Sequence, residues 1–204
     1  PQVDVVQAAD GKDNYDLHLA PASAGNPTRV GDLRITGGHV HAVLAKLKAN
    51  FGLDVATRGE GSRAQIVVDA HGTYNDAPIT GRMIGGALLS LRDASQPWLV
   101  DLHVAKGGTS VALDGTLREP LHLRGANLKL RLAGQDMAQL TPLTGIPLAH
   151  TPPYRVTGQL GFQGGHIRFH DFAGVVGKSD RAGSIDVDPV QQRPLLRATL
   201  HARQ

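Results

Sequence analysis

The chain has 204 residues, 41% hydrophobic and 19% charged, which is ample apolar material for a core and carries no signature of disorder. It contains no cysteine, which excludes a disulfide scaffold, a zinc ribbon and a thiol nucleophile. The formal net charge is only +3 and the Lys and Arg residues are scattered singly, so no nucleic-acid partner is expected. With 25 Gly, 12 Pro and only 4% aromatics, the composition favours many short strands whose buried surface comes mainly from Leu and Val.

No run approaches the roughly 20 apolar residues of a membrane-spanning helix. The chain opens on Pro1 rather than Met, which reads as a processed product or a piece of a longer protein. The missing anchor therefore says nothing about the parent.

Period-two alternation is the main signal along the chain. Between Leu47 and Val55 the odd positions Leu47, Ala49, Phe51, Leu53 and Val55 are apolar, whereas Lys48, Asn50 and Asp54 fall between them. A helix through Leu44, Leu47 and Phe51 leaves Leu53 and Val55 unexplained, so a strand is preferred. Trp98, Val100, Leu102 and Val104 share one face, and Val111 and Leu113 follow. Leu128, Leu130 and Leu132 alternate with Asn127, Lys129 and Arg131. Tyr154, Val156, Leu160 and Phe162 repeat the pattern, as do Ile167 and Phe169 between His166, Arg168 and His170. Each run has one oily and one wet face, as expected of an antiparallel sheet covered on one side.

Gly37-Gly38, Gly107-Gly108 and Gly164-Gly165 each stand between strand-like runs and are read as hairpin turns. A second echo pairs Gly72-Thr73-Tyr74 with Gly115-Thr116-Leu117. The spacing is too irregular for a fixed repeat. Asp136 is placed to cap one short helix near 136–141, which Pro142 ends. The Pro-rich stretch 145–153 suits neither helix nor central strand. The expected organisation is a single β-rich segment over 1–204, divisible into a meander over 1–144 and a strand set over 153–204.

Chemistry is hard to find in this sequence. His39 and His41 share a strand face, yet no local acid or third His completes a metal site, and solvent-facing His is the preferred reading. No nucleophile elbow, metalloprotease helix, phosphate loop or dinucleotide fingerprint occurs. Asp69, Asp76, Asp101, Asp114 and Asp171 lie near strands or turns. A β-rich glycosidase needs two such carboxylates about 5–10 Å apart in a cleft, and the shortage of sugar-stacking aromatics speaks against it. The chain is read as a non-enzyme with no catalytic residue, no metal site and no cofactor.

From Gly72 to Val187 the order of short motifs resembles the AsmA family. The run includes Gly72-Thr73-Tyr74 with Pro78, Leu88-Leu89-Ser90-Leu91-Arg92, and Pro97-Trp98-Leu99-Val100. It continues through Asp114-Gly115-Thr116-Leu117, Leu132-Ala133-Gly134-Gln135-Asp136-Met137, Leu143-Thr144-Gly145 and Pro152-Pro153-Tyr154. It closes on Gly177-Lys178-Ser179-Asp180 and Gly183-Ser184-Ile185. Residues 1–40 are less similar, and Arg181 stands where an apolar residue is expected.

The resemblance implies the periplasmic portion of a bacterial inner-membrane protein, anchored outside this segment and linked to outer-membrane biogenesis and phospholipid transport. It implies a curved, mostly β sheet forming an open groove, with a phospholipid or other acyl lipid as partner. The alternating residues nominate Trp98, Val100, Leu102, Val111, Leu113, Leu128, Leu130, Leu132, Leu160, Phe162, Ile167 and Phe169 as its lining. The alternatives are a closed β-sandwich that scaffolds envelope proteins through its edge strands, and a carbohydrate-active β protein.

Overall fold

The computed structural model describes residues 2–7, 33–45, 48–93, 95–122, 124–141, 148–163, 166–188 and 195–203. Twelve strands form one sheet in strict sequence order. They are β1 (Gln2–Gln7), β2 (Gly38–Leu44), β3 (Ala49–Arg58), β4 (Gln65–Tyr74), β5 (Ala77–Gly85) and β6 (Trp98–Lys106), followed by β7 (Thr109–Leu117), β8 (Asn127–Gly134), β9 (Tyr154–Gln163), β10 (His166–Val176), β11 (Ser179–Asp188) and β12 (Leu195–Arg203). β1 and β12 are the two ends of that order and do not pair, so the sheet is not closed into a barrel.

From β2 onward every neighbour is antiparallel, as the alternation predicts; β1 alone runs parallel to β2. A parallel pair needs a crossover of at least about a dozen residues, and residues 8–37 intervene between these two strands. A second difference concerns Gly37-Gly38. Gly38 opens β2, and residues 33–37 are not strand, so this pair starts a strand rather than turning a hairpin. Leu47, Gly164-Gly165 and positions 142–147, which include the first part of the Pro-rich stretch, lie outside the described residues.

The two ends of the sheet are built differently. At the upper end β4–β5, β6–β7 and β10–β11 join through tight two-residue turns. In the first of these Asn75 and Asp76 both have positive φ, 49° and 59°, the signature of a type I′ hairpin whose twist matches the strands. At the lower end the connections carry 3-10 turns, Gly61–Arg63, Leu88–Arg92 and Pro120–His122. Leu88 and Leu91 pack on the cluster of Ile66, Trp98, Val100, Leu117 and Leu128.

The predicted short helix is the 3-10 turn Met137–Leu140, capped by Asp136. Leu140 sits in a second cluster with Tyr154, Val156 and Phe172. The Asp136 carboxylate accepts from His150 Nδ1 at 2.6 Å and from the Ala138 and Thr151 amides at 3.0 Å each. These bonds, His150 first, hold the carboxyl down to about 2 from its ordinary 3.8. A depressed carboxyl stabilises the fold above its ordinary value and loses that contribution as pH falls through the folded one. The Ala138 and Thr151 amide resonances are therefore expected to move between pH about 4 and about 2, and Asp136→Asn should abolish that titration. Signals that stay fixed across the window would show that the cap does not form.

Candidate functional site: an uncovered apolar face

Cross-strand register turns the alternating runs into continuous rows. Val55, Val68, Met83, Leu102, Leu113 and Leu130 are directly paired from β3 to β8. One step toward the lower end, Ile66, Gly85, Val100, Gly115, Leu128, Leu160, Phe169 and Ile185 form the next row. Below it stand Trp98 with Leu117, and Phe162 with Ile167 and Val187. One step toward the upper end, Leu53, Ala70, Gly81, Val104, Val111, Leu132 and Val156 continue the same face. All twelve lining residues nominated from the sequence fall on this face.

Burial separates the rows. In the lower part Leu128 is 1% exposed, Val100 6% and Trp98 7%, and the Trp98 indole donates to the Ala87 carbonyl at 3.1 Å. The central row is half-buried at every position, and so are Leu53, Val104, Val111 and Leu132. The inner layer of a sandwich would bury such residues fully. Turns fold over the apolar face at the lower end, and the Met137–Leu140 turn packs on its upper part beside β9. Among the described residues no turn folds over the middle, which is left as a trough running across the strands.

At β10 the face is kept by a bulge. Asp171 takes positive φ, 50°, and the β10–β11 register shifts between Phe169 and Phe172. Both rings then lie on the apolar side, stacked with centroids 5.2 Å apart and planes at 4°. They occupy the space over Gly158, where a Cβ would meet the Phe172 Cβ at 2.6 Å.

The opposite face is charged and self-neutralising. His39 meets Asp54 at 2.6 Å, Arg82 meets Asp69 at 3.3 Å, His103 meets Asp101 at 3.1 Å and Arg168 meets Asp186 at 2.6 Å; Arg131 pairs with Asp114. His41 bonds to Asn50 at 2.8 Å, so the two histidines nominated as a metal pair both lie on this face with separate partners. Asp101 and Asp114 face each other in the register of β6 and β7, whereas Asp69, Asp76 and Asp171 are engaged with Arg82, Lys48 and His170. Among the described residues no three His, Asp or Glu converge as metal donors.

The sequence reading missed the contributions of β4, β5 and β11. Ile66-Val67-Val68 is a continuous apolar run because Val67 is itself buried on the other face, 4% exposed. Met83-Ile84 likewise hides the period. The signal that recovers them is cross-strand register, which places Val68 and Met83 between Val55 and Leu102.

A single open sheet whose apolar face is only partly covered among the described residues, and whose other face is ion-paired, defines a β-groove protein. The chain belongs to the AsmA family: it is 33% identical over 140 residues to AsmA family protein YhjG of Escherichia coli (strain K12), a match covering 66% of this chain and 20% of that protein. The chain thus spans about a fifth of the length of that curated relative. No family model matches the chain, and no solved structure does. Among the described residues no helix is long and apolar enough to cross a membrane.

Proposed function

We propose that this chain is a periplasmic segment of an inner-membrane-anchored AsmA-like protein that guides phospholipids along its apolar trough in support of outer-membrane biogenesis. The observation that carries the reading is the central row, Val55 to Leu130, apolar across six strands and half-buried at each of them. A contiguous apolar row left only half-buried on a folded chain is a candidate binding surface. Apolar contact is non-directional and worth about 0.8 kcal/mol per buried CH₂, so an acyl chain held on this row slides without breaking specific bonds. Such a role requires no nucleophile and no cofactor.

Native mass spectrometry of protein purified from cells is expected to show co-purifying phospholipid. Leu130→Glu should abolish that capture and leave the protein folded, because the half-buried side chain reaches water from the open trough. In a covered core the same change would bury a charge and unfold the chain. Lipid-free wild-type protein, or an unfolded variant, overturns the reading. A second reading, a module that docks envelope proteins, draws on β12, an edge strand with Leu195 43% and Leu200 59% exposed.

A further inference from the structure

Alternation places Arg181 on the apolar face of β11, in the same row as Val104, Val111, Leu132 and Val156. Among the described strand residues of that face, Lys106 and Arg181 are the charged ones; both are cations, and no carboxylate shares the face with them. This is the reverse of the other face, where Arg and Asp pair strand by strand. Lys106 is engaged with the Tyr74 ring, 5.4 Å from its centroid. Among the described residues Arg181 has no ion pair: its Nη1 donates to the neighbouring Asp180 carbonyl at 3.2 Å.

The surroundings of Arg181 are bare. Its cross-strand partners are Gly174 and Ala202, and two residues away along the strand stand Ser179 and Gly183. Gly174 and Gly183 cannot be enlarged, because a Cβ on either would overlap a backbone carbonyl of the next strand. The guanidinium therefore stands in a clearing of small residues at the margin of the apolar rows, with most of its five donors unused. A guanidinium is the group best shaped to hold a phosphate through two parallel hydrogen bonds. Among the described strand residues of this face, the ammonium of a zwitterionic headgroup would find no acid.

We propose that Arg181 reads the headgroup, and that the trough prefers acyl lipids with a net anionic phosphate headgroup. The inference rests on the lipid-groove reading and adds the substrate charge and the residue that selects it. The test offers the full chain vesicles of phosphatidylglycerol or of phosphatidylcholine and measures captured lipid by native mass spectrometry.

Both lipids offer a phosphodiester to the guanidinium, but the choline ammonium offsets the phosphate charge. Wild-type protein should therefore favour phosphatidylglycerol about threefold, the scale of one partly exposed ion pair. Arg181→Leu should lose the preference and retain phosphatidylcholine capture, whereas Arg181→Lys should keep part of the preference. Circular dichroism confirms that each variant is folded, and Arg181→Gln serves as the substitute should the Leu variant unfold. No preference in the wild type, or a preference that survives loss of the cation, overturns the headgroup role and leaves the groove standing. Failure to capture either lipid overturns the groove reading, and this inference with it.

Discussion

Leu128→Ala is expected to cost about 3 kcal/mol of unfolding free energy, within the roughly 2–5 kcal/mol seen when a fully buried Leu is truncated. Leu128 is the most deeply buried large side chain among the described residues, 1% exposed, and lies between Gly115 of β7 and Leu160 of β9. It touches the cluster of Ile66, Trp98, Val100 and Leu117, so removing it opens a void that the rigid sheet cannot close. Trp98 is the one tryptophan of the chain and belongs to the same cluster, which makes its fluorescence a direct reporter in urea unfolding.

The informative companion is Leu130→Ala, two residues along the same strand on the same face. Leu130 is half-buried in the trough, so its truncation should cost under about 1 kcal/mol. If the two variants lose equal stability, something covers Leu130, and the open trough does not exist.

Gly115→Ala should be comparably damaging, on the order of 3 kcal/mol, by a different route. Gly115 has φ 144°, outside what L side chains adopt, and a Cβ there would overlap the Asn127 carbonyl and stand 3.0 Å from the Leu128 Cα. Gly72, its partner in the sequence echo, repeats the arrangement with φ 152° against the Asn50 carbonyl and the Phe51 Cα. Such glycines let one strand approach its neighbour closely and bend the sheet. Hydrogen exchange should locate the damage at the β7–β8 amides. Gly161→Ala is the control: nothing lies within 4 Å of its Cβ position, and the expected change is between zero and a gain of about 0.5 kcal/mol. Equal losses at both sites would point to a general cost of replacing glycine and not to the close strand approach.

Much of the site was legible because alternation survives wherever only one face of a strand is apolar. Trp98 to Val104, Leu128 to Leu132 and Tyr154 to Phe162 declared their faces, and register joins them as the alternation implied. Legibility failed where both faces are apolar, as at Ile66-Val67-Val68. It failed again where the backbone changes phase: strict period two sends Phe172 to the charged face, and the positive φ at Asp171 brings it back beside Phe169. The parallel pairing of β1 with β2 left no local trace, since it depends on two segments separated by residues 8–37.

The sequence by itself determined that these strands have one oily face, that a tight turn falls at Gly107-Gly108, and that Asp136 caps a turn. Side-chain direction follows the pleat of the backbone residue by residue, and a capping or turn residue acts within a few positions. Only the tertiary structure decided whether the oily face is covered. Leu128 and Leu130 sit in the same Leu-x-Leu alternation, yet one is sealed by neighbouring strands and inward-folded turns while the other lines an open trough. That difference comes from the order of twelve strands in one layer and from where the connections fold back, neither of which is local to the residues concerned.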